Sequence, residues 1–304
     1  MAGVGKQTAE RAAPTRLLRA AAACASSPDV PGLARRPRPK RRLVGPDFLP
    51  PSIAGFASRS NGNTDAFQNG IRPQPGGYNQ DVPADRRRAR RVHERLLQAY
   101  GSPRWRPTLS PLEELISTIL SQNTNDTNRD RAFEALRERF PAWEAVRDAP
   151  QQAVIDAIRP AGLAPQKGPR IQRLLRQITD ECGGLDLGFL HHTPPQDVYD
   201  WLIHFDGVGP KTASIVMLFS LGLPAFPVDT HVYRVTGRLG LRPPGITADQ
   251  AHRVLAEAFA AETYLDAHLN LIRHGREVCH ARNPECGTCR LLDLCPFGQA
   301  RSAE

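Results

Sequence analysis

Apolar residues recur at helical spacing through most of the chain beyond residue 85. From 85 to 97, Val92, Leu96 and Leu97 share one face and arginines the other, which predicts a surface helix ending before Gly101-Ser102-Pro103. The next start is written in capping chemistry: Ser110 as N-cap, Pro111 at the first helical position and Glu113 closing a capping box. Leu112, Leu115, Ile116, Ile119 and Leu120 then form a buried stripe. Further helices are predicted over 129–140, 151–158, 169–179 and 195–205, each set off by proline or glycine. The segment 211–221 is apolar on nearly all sides, the pattern of a helix enclosed by a core, and stops at Gly222. Three more helical stretches cover 228–239, 248–261 and 265–279. No segment alternates with period two, so the fold class is all-α.

Before residue 84 the pattern disappears. Residues 1–83 are rich in Ala, Arg, Pro, Gly, Ser and Asn, a composition that buries too little apolar area to offset its ordering entropy, so a disordered arm is expected. Residues 1–91 carry 17 Lys and Arg against 6 Asp and Glu, about +11, leaving 23 against 25 and about −2 for the remainder of a chain whose net charge is +9. Basicity therefore belongs to the arm, and a folded part that binds a polyanion must do so through placed amides and a few cations. The run Arg35-Arg36-Pro37-Arg38-Pro39-Lys40-Arg41-Arg42 reads as a nuclear localisation signal, a DNA tether or simply a solvated tail, and 11–24 faintly resembles a transit peptide. On this basis the location expected is cytoplasmic and nucleoid-associated in a bacterium, nuclear or mitochondrial in a eukaryote. No apolar run approaches the roughly 18 to 20 residues of a membrane span, so no membrane partner is expected.

Three stretches carry chemistry. Gly207-Val208-Gly209 permits a tight turn whose N–H groups point outward at the start of the next helix, an anion grip if it is more than a plain helix–helix turn. Lys211 follows in the first turn of the apolar helix, where burial and the helix dipole both favour a neutral, nucleophilic amine; otherwise it simply pairs with an anion. Asp229 offers a partner carboxylate, and Asp229-Thr230-His231 is equally good capping chemistry. Cys279, Cys286, Cys289 and Cys295 lie within 17 residues with turns between them, whereas Cys24 and Cys182 are scattered. Four thiols so close suit a tetrahedral zinc or an iron–sulfur cluster in a reducing compartment, and spacing leaves the two open.

Taken together, Leu120-Ser121-Gln122-Asn123-Thr124-Asn125-Asp126, Gly207 to Ala213, Val228 to Val235, His274-Gly275-Arg276 and the cysteine spacing resemble endonuclease III, of the helix-hairpin-helix DNA glycosylase superfamily, over residues 85–297. The resemblance implies a two-lobed fold: a six-helix barrel over 104–223, an iron–sulfur domain from 84–103 with 224–298, a tail at 299–304, and a DNA cleft between the lobes. It implies a [4Fe-4S] cluster on Cys279, Cys286, Cys289 and Cys295, a Schiff-base lysine at Lys211 and a catalytic carboxylate at Asp229. It further implies DNA contacts from Gly207, Val208, Gly209, His231 and Arg282, with Leu163 as the residue inserted where a base is extruded. The family's glutamine beside the orphaned base aligns with Asn123, with Gln122 one step earlier. Asp206 stands where the hairpin commonly has proline, and is expected to weaken the phosphate grip. The activity implied is excision of oxidised pyrimidines from duplex DNA with lyase cleavage at the abasic site, by a monomer. The alternatives are a thymine, uracil or adenine mismatch glycosylase and a non-catalytic DNA-binding module.

Overall fold

The computed structural model describes residues 85–302, all helix, turn and loop. The basic arm, its charge run and its transit-like stretch lie outside the described residues. Helix α1 (Arg86–Tyr100) is capped by the Asp85 side chain, which accepts from Arg88 N, and ends at Gly101. The predicted capping box is present at α2 (Pro111–Ser121): Ser110 accepts from Glu113 N while the Glu113 carboxylate takes the Ser110 amide at 2.9 Å. Next come α3 (Asp126–Arg139), capped by Asn125, then the short α4 (Trp143–Asp148) and α5 (Gln151–Ala157). After them run α6 (Ala164–Cys182), α7 (Pro195–Ile203) and α8 (Pro210–Ile215). The chain continues as α9 (Thr230–Arg238), α10 (Ala248–Ala258), α11 (Tyr264–Glu277) and α12 (Pro296–Ser302).

Three elements depart from the predicted pattern. Helix α6 begins at Ala164, five residues before the expected Pro169, because Pro165 already occupies the first turn and Pro169 falls within the second. A β-carbon at the intervening Gly168 would meet Ile155 at 2.9 Å, so α6 packs directly on α5 there. The 211–221 helix is not one regular helix: after Ile215 it widens into a π turn, Val216–Ser220, with Leu221 N donating to Val216 O. Helix α4, six residues long, is too short to show a period.

The helices bury two cores. One is built within 112–225 around Leu115, Ile116, Ile171, Trp201 and Met217. The other joins α1 (Ala89, Val92, Leu96) to Phe226 through Cys295. The chain passes from one to the other between Ala225 and Phe226, directly after the π turn and directly before Asp229. The first helix reaches its distant core through hydrogen bonds as well as packing: Asn270 Nδ2 donates to Gly101 O at 3.0 Å, and Tyr100 Oη lies 2.9 Å from His274 Nδ1. No described helix is long and apolar enough to cross a membrane.

Candidate active site and cluster centre

The hairpin between α7 and α8 is a left-handed turn. Gly207 has φ +82°, and a β-carbon there would sit 2.4 Å from Arg170 Cδ, so only glycine fits. Val208 is buried and anchors the turn to the first core. Gly209, exposed and extended, has nothing near its missing β-carbon, which leaves room for a close external approach. Asp206 does not stand free beside this turn: its carboxylate lies 3.1 Å from Arg173 on α6.

Lys211 occupies the second position of α8 and is half-buried, at the mouth of the core its helix enters. Asp229, from the other core, is the N-cap of α9, where its Oδ1 accepts from Val232 N at 2.7 Å. His268, deeply buried, donates from Nδ1 to Pro227 O at 3.0 Å and lies within electrostatic reach of both: burial lowers its pKa, Asp229 works against that and Lys211 adds to it. His252 lies beside it on Phe226 O at 3.0 Å, and burial pushes its pKa down to about 4, with His268 and Lys211 contributing. Two neutral imidazoles thus hold the strand-like 226–228 segment that delivers Asp229. Sequence reading passed over both histidines, since a lone histidine on an apolar helix face gives no signal of what it faces.

A cleft between the cores is lined by Asn123, Thr124, Asn125, Asp126, Thr127, His231 and Arg276. Arg276 on α11 crosses it to Asp126 on α3 at 2.8 Å, linking the two cores. Asn123 is exposed in the left-handed conformation, φ +54°. Gln122 behaves differently. Its Nε2 donates to Gly207 O at 3.4 Å and its Oε1 accepts from Arg170 at 3.1 Å, so it ties α2 to the hairpin rather than lining the cleft. Leu163 is also left-handed, φ +49°, and 45% exposed. The other exposed large apolar side chain described, Trp105, is fastened edge-on to Phe219 at 4.9 Å; Leu163 remains a bare apolar tip on the turn before α6. His231 is half-buried, with Arg234 Nη2 3.1 Å from its Nδ1, and Arg282 is exposed on the loop after Cys279.

The four cysteines line one cavity together with Val235, Leu239, His274 and Leu291. Four thiols around one cavity are a donor set for an iron–sulfur cluster as well as for a tetrahedral zinc. Donors surround the sulfurs: Arg238 Nη1 is 3.2 Å from Cys279 Sγ, Leu291 N 3.4 Å from Cys289 Sγ and Gly298 N 3.3 Å from Cys295 Sγ. His274 Nε2 lies 3.6 Å from Cys289 Sγ. Burial raises the Cys289 and Cys295 thiol pKa values, with the neighbouring cysteines adding to it, a balance that a bound cationic centre reverses. The donor set therefore fits an iron–sulfur cluster.

A glycine hairpin leading a lysine into one core, a capping carboxylate from the other and a four-cysteine centre together point to the helix-hairpin-helix class of base-excision proteins. Residues 116–261 match the profile described as HhH-GPD superfamily base excision DNA repair protein, and 279–295 match the iron-sulfur binding domain of endonuclease III. Endonuclease III of Sulfolobus acidocaldarius is 34% identical over 60% of this chain and 80% of its own. That of Escherichia coli K12 is 32% identical over 62% and 84%. An Arabidopsis thaliana protein provisionally named a DNA glycosylase is 38% identical, with 55% of this chain matched to 57% of its own length. A non-covalent endonuclease III–DNA complex superposes with a TM-score of 0.63 at 28% identity, covering 72% of this chain and 99% of that one. A thermostable thymine-DNA glycosylase shares the fold, at 22% identity and a TM-score of 0.59. The chain belongs to the endonuclease III family of DNA glycosylases. Its cofactor is a [4Fe-4S] cluster, which Cys279, Cys286, Cys289 and Cys295 would hold.

Proposed function

We propose that the protein binds duplex DNA as a monomer, excises oxidised pyrimidines and cleaves the strand 3′ to the resulting abasic site. The observation that carries this reading is the pairing of the Gly207–Gly209 hairpin, which leads Lys211 into the first core, with Asp229, which caps α9 in the second, both within electrostatic reach of the buried His268. DNA enters the cleft lined by Asn123 and His231, and the N–H groups around Gly209 meet a backbone phosphate. The damaged base leaves the stack, Leu163 fills the gap, and Asn123 lies beside the orphaned partner. The Lys211 amine attacks the sugar C1′ as the C1′–N bond breaks and the base departs with the bonding pair. Asp229 stabilises the positive charge developing on the sugar and takes up the amine proton. The resulting aminal opens as the C1′–O4′ bond breaks and O4′ takes a proton, which gives the imine; this loses a C2′ proton, and the 3′ phosphate leaves by β-elimination.

Borohydride with DNA carrying an abasic site tests the step. Wild-type protein is expected to yield a covalent adduct and Lys211→Ala none; an adduct with the alanine protein overturns the assignment. Asp229→Asn should slow base release by about a hundredfold or more while leaving binding intact. A panel of duplexes carrying an oxidised pyrimidine, a uracil mismatch, a thymine mismatch or an abasic site decides the substrate, and preference for a mismatched thymine would favour the mismatch glycosylase.

A further inference from the structure

Lys167, on the first turn of α6, is 2% exposed, and no ion pair engages it. Its Nζ donates to Leu120 O and to Ala161 O, each at 2.8 Å. Leu120 closes α2 three residues before the left-handed Asn123, and Ala161 lies two residues before the left-handed Leu163. The Lys167 amide also donates to Leu163 O at 3.0 Å, so this residue holds the Gly162-Leu163 turn from both sides. Burial lowers its pKa, yet amine and ammonium alike have enough N–H bonds for two carbonyls. A lysine that merely filled space would be replaceable by methionine at that depth; one bridging two separate turns has a stricter task. The same helix continues the pattern, with Arg170 reaching Gln122 and Arg173 reaching Asp206.

We propose that Lys167 is a positioning residue that couples the turn carrying Asn123 to the turn carrying Leu163, so that the two enter the duplex as one unit. This rests on the reading of Leu163 and Asn123 as the residues that occupy the gap left by the extruded base. Without the bridge each turn loses a hydrogen bond at its base and moves independently, which slows filling of the gap but leaves Lys211 and its attack on an exposed sugar untouched.

The test compares the holoprotein with Lys167→Met, which keeps an unbranched side chain through Cε and removes the donors. Hydrogen exchange of peptides covering 120–125 and 160–165 is expected to rise in both turns together, by about tenfold, with the hairpin at 205–211 unchanged. Single-turnover base excision is expected to fall by about tenfold and borohydride trapping at a preformed abasic site by less than about threefold. In a Leu163→Ala background the Lys167→Met change should add little further loss. Faster exchange in only one turn or in neither, equal loss of excision and trapping, or losses that multiply across the pair would overturn the coupling. If Lys167→Met does not fold, the exchange reading on Lys167→Gln decides, since its shorter stem cannot span both carbonyls. Undiminished excision by Leu163→Ala alone overturns the wedge reading of Leu163, and the exchange data still decide the coupling.

Discussion

Two carboxylates illustrate how a single side chain's neighbours determine its effect. Asp206 stands beside the turn proposed to face a phosphate, but Arg173 lies within 3.1 Å of it, and both are more than half exposed. Such a pair contributes little stability, at most about 1 kcal/mol, so its consequence lies in the local field. Asp206→Asn should free Arg173 for a phosphate, tighten DNA binding several-fold and steepen the plot of log affinity against log salt by about one. Unchanged affinity across a salt titration would reject this. Glu114, on α2, is mostly buried, and burial pushes its pKa up to about 6, partly opposed by Arg129 and Thr118. A carboxyl whose folded pKa exceeds its unfolded value stabilises the fold when protonated. That contribution is full below about pH 4.5 and is lost as pH rises through 6. Glu114→Gln should therefore raise stability by up to about 2 kcal/mol at pH 7.5 and by almost nothing at pH 4, as read by denaturant titration at the two values.

At the scale of elements, the hairpin separates two uses of glycine. Gly207 is required by its own backbone and by the Arg170 side chain packed on it. Gly207→Ala should cost about 1 to 3 kcal/mol of stability and disturb the Gln122 contact as well. Gly209 is in a conformation any residue adopts and faces open space. Gly209→Ala should leave the melting temperature within about 2 °C of wild type yet weaken DNA binding by about tenfold or more, because the added methyl stands on the open side of the turn, where the proposed phosphate contact is made. Melting and binding measured on both variants distinguish these uses; equal melting losses would mean that Gly209 is structural too.

For the whole molecule, the cleft depends on how the two cores are held. Two crossings of the chain, after α1 and at 225–226, the Arg276–Asp126 pair and the Phe219–His268 ring contact at 5.6 Å join them. The cluster end belongs to the second core, since Leu291, Leu294 and Cys295 are part of its buried set. Removing the iron, or replacing Cys286 with alanine, should expose that set and the Tyr100–His274 contact together. The expected result is proteolysis first within 264–302, loss of the visible cluster absorbance and a lower melting temperature, with the first core more resistant. Uniform proteolysis of both cores would show that they unfold as one unit.

Much of this was legible in the chain itself. Periodicity and capping chemistry determined the helical class and the start of α2, because Ser110, Pro111 and Glu113 act on backbone groups within one turn of themselves. The cysteine spacing located a four-thiol centre for a similar reason, as its thiols are close in sequence and need only short turns between them, while leaving zinc and cluster open. What the chain could not reveal depends on contacts between distant segments. Gln122 and Asn123 are adjacent and similar in chemistry, yet Gly207 and Arg170 claim the first and a left-handed backbone turns the second into the cleft. The histidines at 252 and 268 acquire meaning only where two cores meet, and the bridge made by Lys167 spans carbonyls 41 residues apart in sequence. Local hydrogen bonds and periodic burial are short-range and can be read from neighbours; the alignment of Lys211 with Asp229 is set by the packing of two cores, and only the folded chain decides it.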